Sequence, residues 1–455
     1  MLTHKSQVMA GSVRKLLRRN AYGHVANLLA KLRPGDICNV MVELSEPEQT
    51  TIFSVLMKRD RHRAAETLND MGLERGLELL QKFSSEEISE VLQELQTDDA
   101  AVFISALPEE IAQQVLERMR VKESTDVRGL LKYPEETAGR IMTPNVFSLR
   151  EDLSVSEAIH TIQTTQDLEM VFYLYVVDDR NHLVGVVSLR QLLMVPPSTP
   201  LKKVMVTDVI SVRTETDQEE VARLVALYDV LAIPVVDHEN KLVGVITVDD
   251  VIDVIHEEAT EDIFYMAGVD ADDHVYTPPW SSVRKRFPWL SVNLGTALLA
   301  ATVVAFYEPL IATFSVLAVF LPVVAGMGGN AGIQTLTVMV RGLALGEISW
   351  ESSKKALLKE ALVGLSNGIA MGVLAGIVVY FWKGSWILGF VLGCAMIINF
   401  FVAGVIGTLV PLFLKKINID PAVASSIFIT TFTDVVGFLS FLGLAAVLLR
   451  QFPAS

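Results

Sequence analysis

The chain has 455 residues, of which 51% are hydrophobic and 20% are charged, and its formal net charge at pH 7 is −15. This length allows about two to four domains. The acidic balance argues against nucleic acid and anionic lipid as partners and favours cations. We expect a reducing compartment and no disulfide framework, because Cys38 and Cys394 stand alone. The basic N-terminus lacks the apolar core of a signal peptide.

Helix-start signals recur along residues 32–119. Each is an apolar residue followed by a capping residue or proline and then by acids, and the signals lie about twelve residues apart. Orphan N–H groups and the helix dipole favour such residues in a first turn. The repeat predicts an all-α superhelical N domain over residues 1–130, with an ordinary helical bundle as the alternative.

Two similar segments follow between residues 141 and 254. Residues 183–193 match residues 242–252, and each copy opens with a methionine, Met142 or Met205, before short strands and helices. The pattern resembles a tandem pair of CBS domains, an α/β Bateman module. We place the first CBS domain at residues 131–200 and the second at 201–255.

In the CBS family, a Ser or Thr and an Asp in the turn after the last strand hold a nucleotide ribose. Thr247 and Asp250 match these positions in the second copy, whereas in the first copy Ser188 matches and Gln191 replaces the Asp. The resemblance therefore leaves two alternatives open. The pair binds ATP or another adenine nucleotide as a regulator, or it is a structural dimerisation scaffold.

A dense group of acids lies between the second CBS copy and the first apolar span. Seven acidic residues fall within residues 249–262, several of them four residues apart. Like charges at that spacing destabilise a helix by about 0.2–0.5 kcal/mol per pair, so a bound cation would stabilise it. We predict an acidic connecting (plug) helix over residues 247–285, with a solvated acidic helix face as the alternative.

Five apolar stretches then form a predicted transmembrane domain at residues 286–455. They cover roughly residues 289–309, 315–340, 361–382, 386–414 and 421–449. Nine Lys and Arg side chains flank one side and two flank the other, and the basic side is cytoplasmic. We expect a multi-pass protein of the inner or plasma membrane, with a cytoplasmic N-terminus and an extracytoplasmic C-terminus. Five spans are few for one pore, which favours a homodimer.

The second apolar stretch contains polar and flexible residues that a lipid-facing helix does not need. A proline and four glycines accompany two carboxamides between residues 322 and 334. We expect irregular backbone here, facing water or protein, with glycine carbonyls close to an ion or a partner helix. The candidate pore residues are Gly328, Gly329, Asn330 and Gln334. The alternative is close helix packing through small residues, which we also expect for the glycines of the third and fourth spans.

Asp434 lies near the middle of the last apolar stretch, beside Thr430, Thr431 and Thr433. A charge at bilayer depth costs at least about 2.5–3.5 kcal/mol and is retained only where it faces protein or water. Two such acids on the axis of a homodimer would suit one hydrated Mg²⁺, and soft metals would prefer Cys and His. The alternative is a buried acid hydrogen-bonded to neighbouring hydroxyls.

With these parts in this order, the chain resembles the MgtE family of magnesium channels over nearly its whole length. The motifs at residues 322–334 and 420–437 carry the resemblance. It implies a homodimer, a pore carboxylate at Asp434, and Asn330 close to the pore. It also implies regulatory Mg²⁺ sites drawn from Asp98, Asp99, Asp250, Asp253, Glu258, Glu261, Asp262 and Asp420.

The predicted function is a magnesium-selective channel for passive uptake, driven by the membrane potential and closed by cytosolic Mg²⁺. The chain has no G-x-x-x-x-G-K-[ST] motif for an ATP-driven motor. We expect no enzymatic activity, because no nucleophile–base set or zinc-ligand spacing is present. Two alternatives stay open: a CBS-containing exporter of divalent metals, and a non-conducting nucleotide sensor anchored in the membrane.

Overall fold

The structure is a computed structural model that describes residues 2–144, 146–165, 173–271, 273, 275, 277–348, 352–417, 419–423 and 425–451. It divides into two compact units, Met1–Val254 and Ile255–Ser455. The fold is that of a multi-domain membrane protein, with an all-α N domain, an α/β CBS pair and an α-helical membrane domain.

The N domain is a series of short helices. They are α1 Leu2–Arg18, α2 Tyr22–Leu29, α3 Pro34–Val42, α4 Glu46–Arg59, α5 Arg61–Asp70, α6 Leu73–Leu80, α7 Ser85–Leu92, α8 Thr97–Ala106, α9 Glu109–Arg118 and α10 Val121–Leu130. From α2 onward they begin about twelve residues apart, with one longer step. Capping boxes start α4, where Ser45 pairs with Glu48, and α7, where Ser84 pairs with Glu87.

The short helices pack on alternate neighbours. Helix α3 contacts α5, α5 contacts α7, and α7 contacts α9, while α6 contacts α8 on the other side of the stack. This arrangement is the α-helical superhelix that the repeated capping signals predict. Its buried apolar residues form one core with those of the second CBS domain.

The CBS pair consists of two similar α/β halves. The first contains α11 Ala138–Ile141, β1 Ser148–Arg150, α12 Val155–Thr164, β2 Tyr173–Val177, β3 Leu183–Ser188 and α13 Leu189–Met194. The second contains a short 3₁₀ helix Leu201–Lys203, β4 Val212–Arg213, α14 Gln218–Tyr228, β5 Ala232–Val236 and β6 Leu242–Thr247. The described strands form two three-stranded sheets, β1-β2-β3 and β4-β5-β6, each with one parallel and one antiparallel pairing.

The two halves interlock through the methionine that opens each copy. Met142 of the first half lies against Gly244 in β6, and Met205 of the second half lies against Gly185 in β3. A Cβ atom on Gly244 would be 2.3 Å from the Met142 sulfur. The repeated Met and Gly therefore serve a reciprocal packing contact, which alignment of the two copies alone does not reveal.

The remaining helices are α15 Val248–Met266, α16 Pro279–Phe306, α17 Glu308–Thr313, α18 Val316–Ala344, α19 Ser353–Lys383, α20 Trp386–Lys416 and α21 Ser425–Gln451. Among the described residues, five of these, α16 and α18 to α21, are long and apolar enough to cross a membrane. They correspond to the five predicted spans, although α16 begins well before its apolar stretch.

The expectation of irregular backbone between residues 322 and 334 is wrong. Helix α18 runs unbroken through Pro322 and the glycines that follow. A proline here removes one helical hydrogen bond, and close packing against neighbouring helices supports the segment. A Cβ on Gly332 would be 2.3 Å from Ile429 Cγ2 of α21, so the alternative of packing through small residues holds for this glycine.

Helices α19 and α20 form a closely packed pair. A Cβ on Gly372 would lie 2.6 Å from the Gly393 carbonyl oxygen, and one on Gly389 would lie 2.6 Å from the Gly376 carbonyl oxygen. Only glycine allows the two backbones to approach in this way. The packing role predicted for the glycines of the third and fourth spans is confirmed.

Candidate functional site

Asp434 lies half-buried in α21 and faces an open cavity of about 640 Å³. Small and apolar side chains of α16 form most of its wall, and Glu308 from the first turn of α17 supplies a second carboxylate. The residues that line it are Ala297, Ala300, Ala301, Val304, Ala305, Glu308, Ile311, Asp434 and Phe438. The cavity offers an acidic group access to space within the membrane domain.

The threonines beside Asp434 donate their hydroxyl protons to their own helix. Thr430 Oγ1 donates to the Ser426 carbonyl at 2.9 Å, and Thr431 Oγ1 donates to the Ile427 carbonyl at 2.6 Å. Thr433 donates likewise, to the carbonyl of Thr430 at 3.0 Å. These three hydroxyls therefore do not donate to the Asp434 carboxylate, as the alternative of a hydrogen-bonded buried acid would require. The hydroxyl oxygens keep lone pairs that can accept from water on a hydrated cation.

The four candidate residues of α18 divide between two faces of the helix. Asn330 and Gln334 are exposed in the single chain, whereas Gly328 and Gly329 are buried. A Cβ on Gly328 would meet Asn399 of α20, and one on Gly329 would lie 3.6 Å from Thr430 Cγ2. The structure thus brings the glycines against neighbouring helices and leaves the two carboxamides on an open face.

A second acidic group lies between α8 of the N domain and the start of α15. Asp98 is only 5% exposed, and Thr143 Oγ1 donates to its Oδ2 at 3.3 Å. Among the described residues, no donor reaches its buried Oδ1. Asn69 donates to Asp99 Oδ2 at 2.8 Å. Asp250 is the largest charged influence on both carboxyls.

The pKa values of these carboxyls reflect burial and mutual repulsion. Burial, and then the charges of Asp250 and Asp99, raise the pKa of Asp98 to about 8. Burial, followed by the charge of Asp250, raises the pKa of Asp99 to about 6. Burial also raises the pKa of Asp250 to about 6, against the opposing effect of its hydrogen bond from Thr247. Such sites disfavour a full complement of negative charges unless a cation is present.

Asp250 belongs both to the predicted nucleotide pair and to the acidic group. Its Oδ2 accepts hydrogen bonds from Thr247 Oγ1 at 2.6 Å and from the Thr247 backbone N–H at 3.2 Å. In the first CBS copy, Ser188 Oγ accepts from the Gln191 backbone N–H at 3.1 Å, and Gln191 Nε2 donates to the Val204 carbonyl. The Gln side chain is therefore held by the backbone.

The remaining predicted metal ligands lie along α15 and just before α21. Asp253 is exposed on α15, and Glu258, Glu261 and Asp262 follow in its second half. Asp420 precedes α21, where its Oδ1 accepts from the Ala422 N–H at 2.7 Å and burial raises its pKa. Within the described ranges, no three Asp, Glu, His or Cys side chains are grouped so as to hold a metal ion. Any ion at these acids would keep much of its water.

The end of α15 contacts the membrane helices. Tyr265 and Met266 pack against a buried apolar group of Leu336, Val340, Ala422 and Ile429, which belong to α18, α21 and the segment before α21. No motif in the sequence predicted this contact. Aromatic and apolar residues directly after the acids are the signal that could have indicated it.

Two further residues were also missed by the sequence analysis. Glu308 lies at the end of the first apolar stretch, and no motif marked it as a cavity residue. Asn399 is a carboxamide in the middle of α20, and it is 1% exposed. A polar residue at bilayer depth is itself a signal of function, and that signal was overlooked.

The family profiles that match the chain divide it into the same domains as the structure. The family profile described as "MgtE intracellular N domain" matches residues 15–136, and "CBS domain" matches residues 138–198 and 201–257. The profile "MgtE: Divalent cation transporter" matches residues 321–444, a range that contains both Asn330 and Asp434.

Two named relatives align with most of the chain. The magnesium transporter MgtE of Enterococcus faecalis is 40% identical over 332 residues, 73% of this chain and 73% of the relative. The magnesium transporter MgtE of Thermus thermophilus is 37% identical over 341 residues, 74% of this chain and 76% of the relative.

A solved structure matches the first part of the chain. It is the cytosolic domain of the Mg²⁺ channel MgtE in complex with ATP, with a TM-score of 0.51, 34% identity and coverage of 54% of this chain and 99% of that one. Together with relatives aligned over nearly three quarters of their length, this match shows that the chain belongs to the MgtE family of magnesium transporters.

Proposed function

We propose that the chain is a magnesium-selective channel that admits Mg²⁺ passively and closes when cytosolic Mg²⁺ is abundant. One observation carries the proposal: Asp434 is a carboxylate within a helix long and apolar enough to cross a membrane, and it faces an open cavity. A charge at that depth is retained when it faces water or a passing ion. The relatives are named transporters, which favours transport over catalysis.

Mg²⁺ fits the groups that this site offers. Asp434 supplies one carboxylate to the cavity, and we propose that the neighbouring threonine hydroxyls and the carboxamides of α18 supply further oxygens along the ion path. Mg²⁺ is held by one or two carboxylates while it keeps several waters, whereas Ca²⁺ takes about 6–8 oxygen ligands. A sparse oxygen site therefore suits a partly hydrated Mg²⁺.

We propose that the channel is a homodimer. Asn330 and Gln334 lie on an exposed face of α18, and polar groups at this depth cannot face lipid without cost. A second copy, with water between the two faces, would satisfy them. Two copies of Asp434 near the dimer axis would then bind one divalent ion.

The distribution of basic side chains supports a cytoplasmic N-terminus and an extracytoplasmic C-terminus. Nine Lys and Arg flank one side of the spans and two flank the other, and the basic side is cytoplasmic. A membrane potential supplies about 2.3 kcal/mol per charge per 100 mV. A divalent ion gains about twice that energy, so uptake needs no other energy source.

The acids of the cytosolic part are the proposed sensor. Burial raises the pKa values of Asp98, Asp99 and Asp250, and the charge of Asp250 further raises those of Asp98 and Asp99. Cytosolic Mg²⁺ would neutralise these negative charges. It would also bind the other proposed sensor acids, which are Asp253, Glu258, Glu261, Asp262 and Asp420. Because α15 continues from these acids to Tyr265 and Met266, which pack against α18, ion binding would bias the pore helices toward the closed state.

We also propose adenine nucleotide as a second regulator, through Thr247 and Asp250. The cytosolic domain of a related channel has been solved in complex with ATP, and the Thr247–Asp250 pair of the second CBS copy is intact. Ser188 would take part from the first copy. ATP should raise the Mg²⁺ sensitivity of closure in the wild-type chain, and Thr247→Val should remove that increase. An equal ATP effect in both proteins would leave a scaffold as the role of the CBS pair.

The decisive test is electrophysiology on the purified full chain in a planar bilayer, with Mg²⁺ varied separately on each side. We expect Mg²⁺ current toward the cytosolic face, with loss of current as cytosolic Mg²⁺ rises. Flux that runs only outward from loaded vesicles would favour the exporter. ATP binding without current would favour the membrane-anchored sensor.

A further inference from the structure

Asn399 is a buried carboxamide at the junction of three membrane helices. It lies near the middle of α20 and is 1% exposed. Its Nδ2 donates to the Val324 carbonyl of α18 at 2.9 Å. Its Oδ1 is fully buried, and no donor reaches it among the described residues.

Glycines hold this carboxamide from two sides. A Cβ added to Gly328 of α18 would lie 2.2 Å from Asn399 Nδ2, and a Cβ added to Gly437 of α21 would lie 2.6 Å from the same atom. Any larger residue at either position would displace the amide. The amide group therefore fills the space that two glycines on different helices leave open.

A polar side chain is a costly way to fill such a space. A buried amide oxygen without a donor is unfavourable, and an unsatisfied group in a native structure calls for an explanation. Leucine has a similar volume and would avoid the penalty in an apolar helix. The amide contributes something that leucine cannot, namely a directed hydrogen bond to the backbone of α18.

The position of this junction relates it to the proposed pore. Gly328 lies two residues before Asn330 on α18, and Gly437 lies three residues after Asp434 on α21. The Asn399 amide therefore lies between the two helices that carry the candidate pore groups, at the level of Gly328 and Gly437, while Gly332 and Ile429 pack directly on each other nearby. A change in this amide would move Asn330 relative to Asp434.

We propose that Asn399 is a positioning residue for ion selection, which acts by fixing the separation of α18 and α21. This inference rests on the proposed function, since it assigns Asn399 to the same pore. Asn399 does not itself touch the ion. Its hydrogen bond to Val324 fixes the side-chain angle, and the two glycines fix the distance between the helices.

The test combines a selectivity measurement with a double-mutant cycle in the full chain. In Asn399→Leu we expect the ratio of Mg²⁺ to Mn²⁺ flux to fall several-fold, while thermal stability and oligomeric state stay close to those of the wild type. Gly328→Ala should lower Mg²⁺ flux about tenfold, an effect large enough for its dependence on Asn399 to be measured in such a cycle. In an Asn399→Ala background, where the amide is gone, Gly328→Ala should cause little further loss. Gly295→Ala in α16 is the matched control, because a Cβ there meets nothing within 4 Å.

Two results would overturn the inference. The first is an unchanged ratio of Mg²⁺ to Mn²⁺ flux in folded Asn399→Leu; a loss of total flux with that ratio intact indicates a merely structural role. The second is a flux loss from Gly328→Ala that is equally large in both backgrounds. If Asn399→Leu does not fold, the cycle with Asn399→Ala decides.

Failure of the proposed function would look different. Absence of Mg²⁺ current in the wild-type chain would refute the proposed channel function. In that event the same cycle measured as melting temperatures tests the positioning role of Asn399: coupling between Gly328→Ala and Asn399→Ala supports it, and additive effects overturn it.

Discussion

Glu308 and Asp434 line one cavity, although the first lies after the first membrane helix and the second lies in the last. Glu308 is exposed at the start of α17, whereas Asp434 is half-buried in α21. Two carboxylates that line the same cavity raise the local concentration of cations. If the proposed channel takes up Mg²⁺ through this cavity, we expect Glu308 to attract the ions and Asp434 to receive them.

Replacement of Glu308 by Gln should weaken uptake at low external Mg²⁺ more than at saturating Mg²⁺. The carboxylate attracts the ion before it reaches Asp434, so its loss raises the concentration needed for half-maximal flux. Flux measured across a range of external Mg²⁺, at low ionic strength, would reveal the shift, and high salt should reduce it. Glu347→Gln, outside this cavity, is the control. Equal losses at all Mg²⁺ concentrations would argue against ion collection.

Replacement of Asp434 by Ala or Asn should abolish Mg²⁺ current. Asn keeps the size and hydrogen-bonding capacity of the side chain but removes the charge, so its effect isolates electrostatics. We expect a loss of at least about tenfold, which corresponds to about 1.4 kcal/mol. Single-channel recordings of a folded Asp434→Asn protein check this expectation, and wild-type conductance in that protein would remove Asp434 from the pore.

Neutralisation of Glu258 and Glu261 together should leave the channel open at high cytosolic Mg²⁺. These acids lie in the second half of α15. Without their charge, Mg²⁺ binds the closed state more weakly and therefore stabilises it less. Current should persist where the wild type closes, with unchanged conductance per channel. Lys202→Gln, which alters charge elsewhere in the cytosolic part, serves as control. Normal closure in the double variant would remove the sensor while leaving the pore.

Stability of the unit Met1–Val254 should depend on pH through Asp98. Its carboxyl has a pKa of about 8 in the folded chain, against 3.8 as the ordinary value. A carboxyl with a raised folded pKa stabilises the fold fully below its unfolded pKa, and that contribution is lost as pH rises through the folded value. In chelator, the melting temperature should therefore fall between about pH 4 and pH 8.

The variant and the ion provide the checks on this pH effect. Asp98→Asn should flatten the decline, because an amide cannot ionise. Mg²⁺ at pH 8.5 should restore stability to the wild type, since a cation relieves repulsion among Asp98, Asp99 and Asp250. A melting profile that is equally steep in Asp98→Asn would assign the pH dependence to other groups.

Periodic features were predictable from the sequence because they depend on local rules. The recurrence of capping residues and acids predicted the superhelix of α1 to α10. The self-similarity of residues 183–193 and 242–252 predicted the CBS pair, and the apolar runs predicted the membrane helices. In each case a short stretch of chain contains the whole signal.

Contacts between distant segments were not predictable from one sequence. Nothing near Asn399 indicates that it reaches Val324, or that Gly328 and Gly437 make room for it. Gly328 and the other glycines of residues 322–334 led to the wrong expectation of irregular backbone, because the sequence shows the missing side chains but not the neighbour that fills the space. The burial of Asp98 beside Asp250 likewise depends on how α8 meets the second CBS domain.

The contact between Tyr265 and the membrane helices yields a last prediction, which separates sensing from gating. Tyr265 packs against the apolar group that contains Leu336 of α18 and Ile429 of α21, so we propose that α15 acts on the pore helices through this contact. Tyr265→Ala should weaken closure by cytosolic Mg²⁺, while the rise in melting temperature caused by Mg²⁺ persists, because the acids are intact. Ile263→Ala is the matched control, since Ile263 is 62% exposed two residues earlier on the same helix. If the Tyr265→Ala channel closes normally at high cytosolic Mg²⁺, or if closure of the Ile263→Ala channel is equally weakened, another contact couples α15 to the pore helices.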